Sequence, residues 1–145
     1  MDEALRLAIV GAGGYGRLAL DVLIASGLEA WIIGFYDDAH AILPDKVRGF
    51  PVLGDIGVLK SMLSVEAVQV IVAITDNVVR LRIANSIRAL GAQFFTAVHP
   101  AAYVSAEARV GVRAVLGQNS SVERKAVVQE DAQVVALSSV DRGGA

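Results

Sequence analysis

The sequence predicts an α/β protein in two parts: an open parallel sheet with helical crossovers over residues 1–98, then a short parallel β-helix over residues 99–145. Three observations carry that reading. Apolar strand-like runs alternate with helix-like segments as far as Val98. A glycine-rich turn joins the first run to the first helix. From Val104 onward an aliphatic residue recurs every six positions.

Leu5–Val10 is a short apolar run ending at Gly11, the pattern of a strand buried on both faces. A helix is expected from about Tyr15 to Ser26, with Leu18, Val22 and Leu23 on one face and Gly27 at its end. Ala30–Phe35 reads as the second strand, closed by Asp37 and Asp38. A loop holding Pro44 and Gly49 leads to an extended piece, Pro51–Leu53, and Asp55 is placed to cap a brief helix through about Met62. Ala67–Ile74 is the plainest strand of all, with no charge before Asp76. Asp76 then caps a helix with Val79, Ile83, Ile87 and Leu90 at helical spacing, and Gly91 closes it. Phe94–Val98 is expected as the last strand of the sheet.

After His99-Pro100 the pattern changes. Val104, Val110, Leu116, Val122, Val128, Val134 and Val140 stand six residues apart. Two positions before each lies a small residue: Ala102, Ala108, Ala114, Ser120, Ala126, Ala132 and Ser138. A period of six is neither a helix face nor a heptad. It is the signature of a parallel β-helix that stacks one aliphatic residue per repeat, with small residues at its corners.

Composition excludes several classes. The chain is 54% hydrophobic but only 6% aromatic, so its cores are Ala, Val, Ile and Leu, and disorder is excluded. A net charge of −2 without a Lys/Arg cluster argues against a nucleic-acid partner. With no cysteine, disulfides, thiolate metal sites and a Cys nucleophile are all excluded, and no metal site is expected. The acidic Met1-Asp2-Glu3 start is unlike a secretory signal. The longest uncharged stretch, Ala89–Ala106, is too polar for a membrane span, so a cytoplasmic protein is expected.

The turn Gly11-Ala12-Gly13-Gly14-Tyr15-Gly16 is a full G-x-G-x-x-G between a strand and a helix. Gly11 permits the tight turn, Gly13 lets backbone approach a phosphate, and Gly16 lets helix and strand pack closely. The helix start then offers free N–H groups and a positive dipole end to an anion. Asp37, 21 residues after Gly16, stands where a carboxylate takes a ribose hydroxyl; with Asp38 it fits a solvated turn pair equally well. Arg17 is within reach of a phosphate or simply lies on the helix surface.

Gly11–Gly16, Phe35-Tyr36-Asp37-Asp38, Val52-Leu53-Gly54, Ala73-Ile74-Thr75-Asp76-Asn77 and His99-Pro100 leading into hexapeptides form one ordered series over nearly the whole chain. That series resembles the sugar O- and N-acyltransferases of the sialic-acid O-acetyltransferase and bacillosamine N-acetyltransferase type. The resemblance implies a Rossmann-like domain followed by a left-handed parallel β-helix, assembled as a homotrimer. It also implies a UDP-sugar substrate on the first domain and acetyl-CoA along the β-helix between subunits. By position, Gly13, Gly14 and Tyr15 would meet the phosphates, with Asp37 and Asp38 beside the nucleotide. The family commonly has His where this chain has Tyr15; a phenol still donates a hydrogen bond but carries no positive charge near neutral pH.

The C-terminal region departs from the family pattern. The family's catalytic His, expected as general base toward the sugar amine or hydroxyl, follows the aliphatic that corresponds to Val140. Here that position falls at Gly143 or Arg142, and a permanently charged Arg cannot act as that base. An upstream Asn-Thr pair reads Ala136-Leu137, and the later coils that complete the CoA site are not in the chain. His40 and His99 are the only histidines, and neither is at the catalytic position. The expectation is a truncated or inactive member that keeps sugar-nucleotide binding. Two other readings of the same residues are an NAD(P)-binding module and a non-catalytic binding or assembly subunit.

Overall fold

The computed structural model describes residues 5–104 and, beyond them, the backbone of six two-residue strands. Spatial proximity groups the chain into two compact units, Met1–Arg17 with Ala30–Phe94, and Leu18–Glu29 with Phe95–Ala145.

The first unit is built on a six-stranded sheet. Its strands are β1 (Leu7–Val10), β2 (Ile32–Tyr36), β3 (Lys46–Val47), β4 (Phe50–Gly54), β5 (Gln69–Val72) and β6 (Gln93–Phe94), in the order β3-β4-β2-β1-β5-β6. Every pairing is parallel except the β3–β4 hairpin. All four residues of β1 are fully buried, as expected of a central parallel strand covered on both faces. On one face Ala8, Val10, Tyr36, Val70 and Val72 share a cluster with Ile56 and Leu59 of α2 (Ile56–Leu63) and Ala84 and Ile87 of α3 (Asn77–Arg88). Burial raises the Tyr36 phenol above its usual range, and its hydroxyl lies 3.3 Å from Met62 Sδ.

Both predicted caps form. Asp55 accepts from the Val58 amide at 2.9 Å, and Asp76 accepts from the Val79 amide at 2.9 Å. Each satisfies a first-turn N–H that lacks a partner within its helix. Asp55→Ala is therefore expected to cost about 1 kcal/mol. Thermal melts should fall by about 2–4 °C, while an unchanged melting temperature would assign the cap to solvent.

The predicted apolar face of α3 holds in part: Ile87 is buried and Ile83 packs half-buried against the core. Arg80, Ala84 and Ile87 are its buried residues, and Leu90 lies just past the helix end at 50% exposure. The predicted strand Phe94–Val98 is two strands. Gln93–Phe94 pairs with Gln69–Val70 as β6, whereas Ala97–Val98 forms β7 in the second unit, opposite Val115–Leu116.

The helix α1 (Gly14–Ala25) begins in the first unit and continues into the second, with Ala19, Leu20, Val22 and Leu23 fully buried. In the second unit the two-residue strands β7 to β14 end at Val98, Val104, Val110, Leu116, Val122, Val128, Val134 and Val140. They form three parallel stacks: β7-β10-β13, β8-β11-β14 and β9-β12. Val98 faces Leu116 and Leu116 faces Val134; Val104 faces Val122 and Val122 faces Val140; Val110 faces Val128. Each pairing spans three six-residue repeats, and the six-residue register starts at Val98, one repeat earlier than the sequence pattern alone suggests. The small residues from Ala108 to Ser138 lie outside the described residues, as do Arg142 and Gly143.

Candidate functional site

The C-terminal ends of β1, β2 and β5 bring the glycine loop, the acidic pair and the turn before α3 to one edge of the sheet. That edge is where open α/β sheets take ligands. Gly11 leaves β1 with φ of 102°, and its amide donates to the Tyr36 carbonyl at 2.8 Å. A Cβ there would sit 2.5 Å from the Ala73 carbonyl oxygen and 2.9 Å from Ile74 Cδ1, so the loop lies directly against the turn after β5. A Cβ on Gly16 would run into the Gly11 carbonyl oxygen. The first and last glycines thus have the roles the motif assigns them, a left-handed turn and a close approach.

The middle of the loop is open. Gly13 and Gly14 are exposed, and a Cβ at either would meet nothing within 4 Å. Tyr15 is half-buried, and α1 has no acidic residue in its first turn to compete for an anion. Arg17 is exposed; its amide donates to the Gly13 carbonyl at 3.0 Å, which starts the helix.

Asp37 is tied to this loop. Its Oδ2 accepts from the Ala12 amide at 2.9 Å and its Oδ1 from the Ala39 amide at 2.8 Å. Its own amide donates to the Gly54 carbonyl at 2.9 Å. Asp38 is exposed, and its Oδ1 accepts from the Ile56 amide at 3.0 Å, at the start of α2. The two carboxylates therefore play different parts, since Asp37 fixes the glycine loop and Asp38 leans toward α2.

A cleft of about 250 Å³ opens beside Asp38, lined by Ile56, Lys60, Val79, Arg82, Ile83 and Ser86. A larger cavity of about 330 Å³ lies around Ser64–Val68, Gly91 and Gln93, where β5 and β6 begin. It is at the opposite edge of the sheet from the glycine loop, so the smaller cleft is the one that belongs to this site.

Arg80 is a residue that no sequence motif singles out. It is the buried charged residue among the described residues, 9% exposed, on the buried face of α3. Its Nη1 donates to the Ile74 and Thr75 carbonyls at 3.0 and 3.4 Å, and its Nη2 to Asn77 Oδ1 at 2.6 Å. The available signal was its spacing, because position 80 falls in phase with Ala84 and Ile87. His40 is exposed in a short 3₁₀ turn, and His99 Nδ1 accepts the Ala101 amide at 2.9 Å. Among the described residues no group of three or more His, Asp or Glu is arranged to hold a metal ion, and no helix is long and apolar enough to cross a membrane.

This chain is similar to several solved sugar-modifying enzymes. The acetyltransferase domain of PglB from Neisseria gonorrhoeae, solved in complex with acetyl coenzyme A, superposes with a TM-score of 0.85 at 30% identity, covering 96% of this chain and 65% of that one. The same domain in a second structure gives 0.85 at 32% identity, covering 94% and 64%. PerB from Caulobacter crescentus, in complex with CoA and GDP-perosamine, gives 0.82 at 26% identity, covering 94% and 62%. The chain thus spans a little under two thirds of the length of these relatives. No curated protein matches it. The sequence profile of the PglD N-terminal domain matches residues 6–87, more than half of the chain, and takes in the glycine loop, both aspartates and Arg80. The chain belongs to the PglD N-terminal domain family, the amino-terminal domain of the NeuD- and PglD-like sugar acetyltransferases.

Proposed function

We propose that residues 1–98 bind a nucleoside-diphosphate sugar and that residues 99–145 form the start of a left-handed parallel β-helix built on hexapeptide repeats. In this reading the amides of Gly13, Gly14 and Tyr15 take the diphosphate, with Gly11 and Gly16 shaping the loop. Asp37 and Asp38 flank the nucleoside, and the cleft beside Asp38 receives the base. The observation that carries the proposal is the open centre of the loop at the N-terminus of α1, held in place by the Asp37 carboxylate. The register of three repeats per pairing supports the β-helix, since each stack then forms one of three faces.

The reaction of the full enzyme design is acetyl transfer from acetyl-CoA to an amine or hydroxyl of the sugar. The bound relatives support that class, one with acetyl-CoA and another with CoA and GDP-perosamine. For acetyl-CoA, the described part of the frame is the backbone of the stacked strands. The family's base position falls at Gly143 or Arg142, and neither side chain can accept a proton there. The 145-residue chain is therefore proposed to bind its sugar nucleotide without turning it over. Homotrimer assembly and a cytoplasmic setting, where sugar nucleotides and acetyl-CoA are available together, complete the reading.

Calorimetric titration with UDP, GDP and NAD tests the proposal. UDP is the expected ligand by resemblance, and GDP is the alternative raised by the perosamine enzyme. Saturable binding of either, with NAD bound at least tenfold more weakly, is the expected result. Tighter binding of NAD would replace this reading with a dinucleotide-binding module. Light scattering is expected to give the mass of three chains. Release of CoA from acetyl-CoA in the presence of UDP-amino-sugars would overturn the assignment of the chain as inactive.

A further inference from the structure

Arg80 poses a problem in charge balance. The residue is more than nine-tenths buried, yet among the described residues it forms no ion pair. Its hydrogen-bond partners are two carbonyls and an amide oxygen, all neutral. Its Nε is buried with no acceptor at all. A buried cation without a counter-ion is disfavoured, because neutral dipoles replace only part of its lost hydration. The nearest carboxylate in sequence, Asp76, is engaged as the cap of α3.

The place of this unpaired charge is informative. Arg80 holds the turn Ile74–Asn77, and Ala73 and Ile74, where that turn begins, are the wall against which Gly11 packs. The cation therefore lies behind the edge of the sheet where the glycine loop opens, in a region of low dielectric where charge acts over longer distances than in water. The N-terminus of α3 adds a positive dipole end at the same turn.

We infer that Arg80 is a positioning residue for a diphosphate. It clamps the Ile74–Asn77 turn against the glycine loop, and a diphosphate bound at that loop is the counter-anion that its buried charge lacks among the described residues. The inference rests on the nucleotide-sugar reading above and deepens it: Arg80 recognises the diphosphate part of the ligand, not the nucleoside. The guanidinium acts through the turn and through its field, without touching the sugar.

Binding of UDP and of uridine to the full chain, followed by NMR titration, separates the two parts of the ligand. Arg80→Gln, which removes the charge, is expected to weaken UDP at least tenfold and uridine less than twofold, and to flatten the salt dependence of UDP binding. Arg80→Lys keeps the charge but loses the planar fork, so a threefold loss for UDP with uridine unchanged is expected. If Arg80→Gln does not fold, the Arg80→Lys comparison carries the test by itself. Equal losses for UDP and uridine would reduce Arg80 to a structural residue and overturn the inference. So would wild-type UDP affinity in Arg80→Gln, while leaving the nucleotide reading intact. A wild-type chain that binds neither UDP nor GDP would remove that reading, and this inference with it.

Discussion

Replacing Gly16 with alanine is expected to destabilise the protein by at least about 3 kcal/mol, although alanine is the better helix former by about 1 kcal/mol. The added methyl would lie far inside contact distance of the Gly11 carbonyl group, which is backbone and not the movable end of a side chain. Relief by moving the loop is blocked, since Gly11 is itself confined by the Ala73 carbonyl and held by its bond to Tyr36. Relief by moving α1 would disturb fully buried residues on that helix. For a chain of this size the melting temperature should fall by about 6–12 °C. Gly13→Ala is the matched control. Its Cβ meets nothing within 4 Å and its φ is not left-handed, so stability should change by less than about 0.5 kcal/mol. The same substitution narrows the proposed phosphate site, and UDP affinity is expected to fall at least tenfold. A Gly16→Ala protein that melts with the wild type would mean that the loop gives way more readily than its contacts indicate.

That contrast also marks what the sequence could express. The roles of Gly11 and Gly16 were legible because they depend only on spacing within one strand–turn–helix unit. The caps at Asp55 and Asp76 were legible for the same reason, each reaching an amide three residues ahead. The features that escaped are those decided by distant partners. Phe94–Val98 is one uncharged run with no turn signal inside it, yet Phe94 pairs with Val70 and Val98 with Leu116. The hairpin of Lys46–Val47 with Phe50–Pro51 turns at Arg48, whose φ is 52°, a conformation an arginine does not advertise. Arg80 escaped because a charged residue on a helix is normally assigned to the solvent face. Its burial goes with three acceptors, two from the turn before α3 and one from the first residue of the helix, which no local pattern reveals.

Asp37→Ala is expected to act on the loop before it acts on any ligand. The carboxylate accepts from the Ala12 and Ala39 amides, and these two losses are unequal. Ala39 is exposed, so water takes over its amide, whereas Ala12 is 1% exposed and its N–H would be left without an acceptor. A buried N–H in that state costs about 1–3 kcal/mol. Asp37→Asn should cost less, because the amide oxygen can stay on Ala12 while the exposed Ala39 N–H, which an NH₂ group cannot accept, turns to water. The ligand responses then separate this loop-fixing role from the ribose contact that the sequence suggests. If Asp37 chiefly fixes the loop, Asp37→Ala weakens UDP and inorganic pyrophosphate alike, each at least tenfold, and Asp37→Asn retains most of both. If Asp37 chiefly bonds the ribose, pyrophosphate binding is untouched by either substitution and UDP suffers in both. The bond to Ala12 favours the first outcome, because a carboxylate oxygen already committed to the loop is less available to a sugar hydroxyl. Asp38→Asn supplies the comparison: its side chain is exposed and contacts α2, not the loop, so its substitution should leave pyrophosphate binding unchanged.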